Sequence, residues 1–593
     1  MRVRGKMTKL TKVIVPVMVV GLIVAACGGG GDPTAAPPPP PTPAPTATPA
    51  PTATLEPAAT TAPVATRAPT ATARPVPTPT PPPTPVTGPQ GELVMAIPSF
   101  GDDLLDPNLA SVVGLQPLSG PIYDGLTYLT PGTGPDGGKN APGIAVSWEA
   151  SPDASAFTYK IRQGMKFHDG TDVTVEDVAW SAERFADPEA PSNPSLIWRR
   201  NVANIEIVDE QTVRFTATRP RPQLPVGIGF RGGTVFPKAA LEAQGAEAFF
   251  EKPIATGPWK LVERQPGVKY TYEPSGIDHP FRASPAFARL VMRLIPEEST
   301  RVALIRTGSA QITDMSPGSV PSVRRSNITI LEAPGTAIVA VQFWGARNPE
   351  LFATVPLGDV RVREALKLAV NRQQIIDVIL NGFGELPPRN LITQLRDAWD
   401  PTWEPTPYDP ERARELLAEA GYSDGFEITY FTTAAAGFPF TQPVIEAVAG
   451  FWDAIGVKTK LEQIDTSTHG TLTRERPLPA RIVGTVSTQA SFQSFSIDLF
   501  ILLVCFYGSG FCPGISLLPA ADAFAGELLR EFDPQKRIEL SRAIINAGHD
   551  AHIDLPIVLT PKLFAVSPDV TGDATRGVTH LGGSLETFRP VSS

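Results

Sequence analysis

The chain has 593 residues, 42% of them hydrophobic, which is enough for more than one globular core. Its formal net charge is −9, and setting aside the first 26 residues, with five Lys/Arg and no acid, leaves −14 for the rest. An acidic body argues against nucleic acid and against anionic lipid as partners of its own surface, because phosphates demand a basic face.

Arg2, Arg4, Lys6, Lys9 and Lys12 precede an apolar run, Val13–Ala26, that is shorter than the ~20 residues of a membrane span. Residues 1–26 therefore read as a signal peptide. Val24-Ala25-Ala26-Cys27 resembles a bacterial lipobox, which makes Cys27 the expected lipidation site. The competing reading is an ordinary secretory signal with an incidental cysteine. Several acyl chains on Cys27 would hold the protein stably to a membrane. From Gly28 to Pro89 the chain holds 21 prolines in 62 residues, interleaved with Thr and Ala. Such a segment cannot bury enough surface to fold. It favours extended polyproline segments and would reach on the order of 190 Å at ~3.1 Å per residue, as a stalk.

Folded structure is expected from about residue 90. Leu93–Ile97 reads as a buried first strand, whereas Gly132–Asn140 fails the spacing of a phosphate loop and reads as a surface turn. Thr158–Ile161 alternates as a half-buried strand, Asp169-Gly170 turns, and Thr174 with Asp177 opens a helix as a capping box. Val178, Ala182 and Phe185 share one face of that helix. Ile205–Val208 and Thr212–Ala217 form a hairpin, and a helix carries Thr300, Arg301, Leu304 and Ile305. Ile338–Trp344 is a strand. Val360–Leu380 is one helical region stopped by Asn381-Gly382, and Tyr408–Gly421 is a second helix with Asp409 as N-cap and Pro410 in its first turn. Pro443–Ile455 and Arg537–Asp550 add helices, and Lys458–Ile464 and Ile553–Leu559 add strands.

No arrangement of catalytic residues stands out. The six histidines include no HExxH pair; His549 and His552, three apart near a helix end, lack a third ligand and read as a solvated face. His168 beside Asp169 suggests a dyad but reads better as a turn residue. Tyr507-Gly508-Ser509-Gly510 lacks the spacing of a nucleophile elbow. The chain is read as no enzyme, with no metal and no cofactor, although a carboxylate pair assembled by the fold would leave a secreted hydrolase open. Cys505 and Cys512 flank Phe506–Phe511, and this even pair is read either as a disulfide or as two buried free thiols.

The order of several short motifs resembles the family 5 extracellular solute-binding proteins, the peptide- and nickel-type receptors of ABC importers. Ser147-Trp148-Glu149, Ser151-Pro152-Asp153, Lys166–Gly170 and Glu176-Asp177-Val178 match its signature segment, with Ala154 where that family usually has Gly. Leu105-Asp106-Pro107, Tyr123–Leu126, Thr256–Leu261, Gly308–Asp314, Asp359–Arg372 and Tyr408–Tyr422 resemble further elements in the same order. The resemblance implies an α/β fold, a two-lobed type II periplasmic-binding-protein clamshell with an extra subdomain in the first lobe. The expected division is a first lobe at 90–342 with a subdomain at about 117–245, a second lobe at 343–556, and a return to the first lobe at 557–593. It further implies a monomeric, lipid-anchored receptor on the extracytoplasmic face of a bacterial membrane, delivering peptide or a related solute to an ABC permease and ATPase. A surface sensor or adhesion protein with the same clamshell and no permease is the competing class.

In peptide-binding members of that family an acid in a loop before the return strands holds the ligand's amino group. The corresponding stretch here, Ile482–Leu499, has no acid until Asp498. It offers Thr485, Ser487, Thr488, Gln489, Phe492 and Phe495, which together with Trp344 are the expected ligand contacts. Neutral hydrogen-bonding groups and aromatics suit a neutral polar or amphipathic ligand. The competing reading makes this stretch a surface loop and Trp344 part of a hinge core.

Overall fold

The computed structural model describes residues 89–591 apart from 110–117, 130–139, 191–197, 223, 226–227, 229–232, 325, 346–348, 390–397, 434–437, 466–467, 470–471, 473–478, 493–518, 529 and 573–584. The segments expected to be a leader and a linker, with Cys27, and also Phe495, Cys505 and Cys512, lie outside the described residues.

The segment that carries most of the quoted motifs builds a small sheet. After β1 (Glu92–Ile97) and a short hairpin of β2 (Thr127–Leu129) and β3 (Asn140–Pro142) come β4 (Ala145–Ala150), β5 (Ala156–Ile161), β6 (Val202–Asp209) and β7 (Thr212–Ala217). The last four pair in the order β4-β5-β7-β6. Along β5 the alternating Phe157, Tyr159 and Ile161 are buried, so the period of two becomes one packed face. Helix α1 (Val175–Ala186) covers that face with Val178, Ala182 and Phe185. Its capping box forms as expected: Thr174 Oγ1 accepts from the Asp177 N–H at 3.2 Å, and Asp177 Oδ2 accepts from the Thr174 N–H at 3.0 Å.

Ala154 closes the turn into β5 at φ +45°, a left-handed conformation that costs an L-residue about 1–2 kcal/mol. Its methyl is buried, and removing it forfeits about 0.8 kcal/mol. Ala154→Gly is therefore expected to raise stability by about 0.5 kcal/mol, read as a higher urea midpoint; a lower midpoint would show that the methyl contact outweighs the backbone strain.

The remaining strands are β8 (Trp259–Gln265), β9 (Lys269–Pro274), β10 (Arg289–Leu294), β11 (Ile312–Met315), β12 (Thr329–Phe343), β13 (Phe426–Thr432), β14 (Val457–Gln463), β15 (Val486–Phe492), β16 (Asp554–Val566), and a terminal pair, β17 (Val570–Thr571) and β18 (Arg589–Pro590). One ten-stranded sheet runs in the order β14-β13-β15-β12-β16-β11-β1-β10-β9-β8. Its centre is the antiparallel pair β12 and β16. These are much longer than the strands expected at Ile338–Trp344 and Ile553–Leu559, because each serves two cores. On β12, Leu331 packs against the core that contains Leu93, Phe157 and Trp259, whereas Ala337, Val339, Val341 and Phe343 belong to the core that contains Leu366, Tyr430 and Trp452. On β16, Leu555, Ile557 and Val558 join the second core, and Phe564 and Val566 join the first. Register shifts occur between Ala333 and Ala337, where the packing changes partner.

Helix α2 (Glu298–Arg306) belongs to the first half. In the second half the single helical region expected over Val360–Leu380 is two helices, α3 (Val360–Leu368) and α4 (Arg372–Val378). The break has a local cause: Asn371 Oδ1 accepts from the Gln374 N–H at 3.0 Å and starts a new helix. Helix α5 (Pro410–Glu419) is capped by Asp409 as the sequence indicates, and α6 (Thr441–Asp453), α7 (Pro519–Leu528) and α8 (Pro534–Asp550) follow.

Candidate functional site

The His168-Asp169 pair is the first place to look for chemistry, and its geometry is structural. The His168 ring sits between two backbone groups, Nδ1 accepting from the Ala255 N–H at 3.3 Å and Nε2 lying 3.0 Å from the Gly257 carbonyl. Burial pushes its pKa down to about 4, so it stays neutral near pH 7 and clamps two motifs together. Gly257 has no room for a Cβ, which would lie 2.5 Å from the Pro121 carbonyl oxygen. The neighbouring Thr256 hydroxyl donates to Asp124 Oδ2 at 2.8 Å. Asp124 also takes His279 Nε2 at 2.9 Å and Arg282 Nη1 at 3.2 Å, and Arg282 reaches Glu586 with Nε at 3.0 Å. Three sequence motifs thus converge on one buried polar knot that ties residue 586 to the first core.

His549 and His552 are not on a solvated face; both are partly buried, with ring centroids 6.1 Å apart. The end of α8 is pressed against α3, where Arg363 donates to the Ala551 carbonyl from Nε at 3.0 Å and Nη2 at 2.9 Å. Burial and the charge of Lys367 push both histidines down, to about 3 and about 4. Among the described residues, no group of three or more His, Cys, Asp or Glu is arranged to hold a metal ion.

The pocket that draws on both halves lies where parallel strands end. β10 and β11 run parallel to β1, and the chain leaves these strands through Pro98, Pro296 and Pro317. In open α/β sheets this carboxyl edge is where crevices form. The opposite wall is Phe438–Phe440, just before α6, and Thr560–Lys562 of β16 lie between. Together they line a cavity of about 280 Å³. Glu298 Oε1 accepts from both the Ser316 N–H and the Ser316 hydroxyl at 2.8 Å. Arg301 Nη1 donates to the carbonyls of Ile295 at 2.9 Å and Pro296 at 2.6 Å, and its Nε lies 3.4 Å from Asp314 Oδ1. Burial raises the Asp314 carboxyl against the pull of Lys562 and Arg301, and burial lowers the Lys562 amine against the pull of Asp314.

On the other face of β16 a turn straps the halves together. Glu385 and Leu559 exchange backbone hydrogen bonds of 2.8 and 2.9 Å. Asn381 Nδ2 donates to the Pro317 carbonyl at 3.1 Å, and Phe383 packs on the cluster of Val302, Ile305 and Met315 under the Arg324 guanidinium.

The residues expected as ligand contacts divide. Trp344 is fully buried, its ring 5.9 Å from that of Phe431 and 5.1 Å from that of His469. The Thr485 hydroxyl donates to the Ile482 carbonyl at 2.8 Å, Ser487 Oγ lies 3.1 Å from His469 Nε2, and Thr488 Oγ1 pairs with the Tyr430 hydroxyl. All three are buried inside the second half. The side chains of Gln489 and Phe492 and all of Phe495 lie outside the described residues. In the register, Phe492 stands opposite Ala337, which in turn stands opposite Thr560 of the cavity, whereas Val486 stands opposite Phe343 at the far end. Glu297, Asp314, Phe438, Phe440 and Lys562 were not expected from the sequence; a proline just past each of several strand ends is the signal that marks this edge.

Residues 139–500 match the model of the bacterial extracellular solute-binding proteins, family 5 Middle. The chain belongs to this family. It is 26% identical over 368 residues to the heme-binding protein A of Haemophilus influenzae, covering 58% of this chain and 65% of that protein. It is also 26% identical over 370 residues to the dipeptide-binding protein of Escherichia coli K12, covering 58% and 66%. The matched segment thus spans just under two thirds of each relative. The solved structure of DppA from Helicobacter pylori with the peptide STSA superposes with a TM-score of 0.67 at 22% identity, over 84% of this chain and 98% of that one. This likeness gives the fold, a two-lobed α/β periplasmic-binding-protein architecture of the family 5 type. No helix among the described residues is long and apolar enough to cross a membrane.

Proposed function

We propose that this family 5 protein is the solute-binding receptor of an ABC importer, held to the extracytoplasmic face of a membrane through lipidated Cys27 and taking a peptide or a related small solute into the crevice between its lobes. The observation that carries this reading is the cavity at the carboxyl ends of β1, β10 and β11, lined from both lobes and by the strand that crosses between them. A solute that touches both walls binds the closed arrangement better and shifts the population toward it by that difference, which is how such a receptor signals occupancy to a permease. We place the lobe limits where β12 and β16 change cores, at Ala333–Ala337 and Leu559–Leu563, and the ligand edge at the Phe492 end of β15. The names of the heme- and dipeptide-binding relatives support a ligand of this size range.

A thermal-shift screen with short peptides, haem, nickel chelates and sugars tests the reading. A ligand at about 100 times its Kd stabilises by about 2.7 kcal/mol, and small-angle scattering should show compaction with the same ligand. A screen without any shift, or binding without compaction, would count against it. The anchor has its own outcome: Cys27→Ala is expected to release the protein from the membrane fraction, and full retention of this variant would rule out lipid anchoring.

A further inference from the structure

The crevice is unevenly charged. Among the described residues that line it, three carboxylates, Glu297, Glu298 and Asp314, meet two cations, Arg301 and Lys562. Most of these charges are already committed to the protein. Arg301 is held by the carbonyls of Ile295 and Pro296 and lies against Asp314; Glu298 is taken by Ser316. The Lys562 amine lies 5.4 Å from the Phe564 ring centre and is coupled to Asp314. One carboxylate is left over. Asp314 is paired with Arg301, its Oδ1 3.4 Å from Nε, whereas the side chain of Glu297, the exposed residue that precedes α2, makes no capping bond. No ion pair of Glu297 occurs among the described residues. Around it the wall is apolar: Met315, the prolines, and Phe438 and Phe440, whose rings meet edge to face at 5.9 Å.

We infer that the crevice takes a solute presenting an ammonium or guanidinium group beside an apolar or aromatic body, with Glu297 as the counter-charge. This rests on the crevice being the ligand site, as proposed above. A guanidinium can meet a carboxylate with two parallel charge-assisted hydrogen bonds, which a neutral group of the same shape cannot match. Lobe closure strengthens the effect by removing water, and a neutral solute would leave the Glu297 carboxylate desolvated and unpaired. Discrimination therefore comes from the penalty on the wrong ligand as well as the attraction of the right one. The charge stands on the first lobe, at the start of α2.

The test uses the full chain and matched probes: N-acetylated short peptides with arginine next to phenylalanine, the same peptides with citrulline for arginine, and agmatine as a non-peptide cation. Calorimetry should show the arginine peptides, agmatine or both binding, with arginine preferred over citrulline by about tenfold or more. Glu297→Gln should reduce that preference to about twofold, by weakening the arginine peptide and relieving the penalty on the citrulline peptide, while leaving the free protein's melting temperature unchanged, as fits an exposed side chain with no cap bond or ion pair among the described residues. Equal binding of the two peptides by the parent, an undiminished preference in Glu297→Gln, or a wider screen in which every solute that binds is neutral or anionic would overturn the inference. Compaction on binding with no charge preference would overturn this inference and leave the receptor reading standing. Absence of binding by every solute would overturn both.

Discussion

Arg282→Met is expected to cost about 3–5 kcal/mol of stability, the usual result of removing one partner from a buried ionic cluster. The Arg282 side chain is 12% exposed, and the Asp124 and Glu586 carboxylates it joins are each 4% exposed. Two of its donors hold Glu586, Nε at 3.0 Å and Nη2 at 3.1 Å, and Nη1 holds Asp124 at 3.2 Å. Without the guanidinium, two carboxylates remain in a site built to exclude water. The urea midpoint should fall, and the segment around Glu586 should become open to proteolysis before the rest. The knot also sets an acid limit. Burial alone would raise the Asp124 carboxyl, but the His279 hydrogen bond, the Arg282 charge and the Thr256 hydroxyl outweigh it and bring the carboxyl to about 2. A carboxyl lowered from 3.8 stabilises the fold fully above that value, and the contribution, about 2 kcal/mol, fades as pH falls toward 2. The Arg282→Met deficit should accordingly narrow on acidification. A variant as stable as the parent at pH 7 would show that the cluster costs as much to bury as it returns.

Lys367→Met is expected to act in the opposite direction and stabilise the protein by about 2 kcal/mol at pH 7. Lys367 is 1% exposed, and among the described residues its Nζ has no hydrogen-bond partner. Burial pushes its pKa down to about 8, against the pull of Asp554, while Arg372 and Arg389 push the same way as burial. A lysine whose folded pKa lies below its unfolded value near 10.4 penalises the fold at every pH below about 8, and the penalty disappears as pH rises between the two. Methionine keeps the length and removes the charge, at the cost of the attraction to Asp554. The gain in melting temperature should therefore shrink between pH 8 and 10.5, where the parent lysine loses its proton. A destabilised variant at pH 7 would mean that the Asp554 attraction exceeds the cost of burying the ammonium.

Local structure was legible because its causes lie within a few residues. The Thr174–Asp177 box and the Asp409-Pro410 start each close over three positions or fewer, so side-chain chemistry alone decides them. The one helix drawn too long, Val360–Leu380, fails for a reason equally local, the competing cap of Asn371. His549 and His552 were misread because α3, which buries them, lies far away in the chain. Motif order carried the family, since seven or more short matches in sequence specify a fold that no single one does.

The sequence by itself thus determined several helices and their caps, some of the strands, the acidic charge and the family. Only the tertiary structure decided what the motifs do and which residues line the crevice. His168, Thr256, Asp124 and Arg282 become one structural knot through contacts that span from 87 to 304 positions. Glu297, Asp314, Phe438 and Lys562 meet because the sheet order brings β10, β11 and β16 to one edge beneath the loop before α6. Hydrophobic periodicity reports which face of an element is buried and says nothing about which distant element covers it. For that reason the prolines at the strand ends mark the edge of the crevice, but neither its opposite wall nor the strap between the two halves had a local signature.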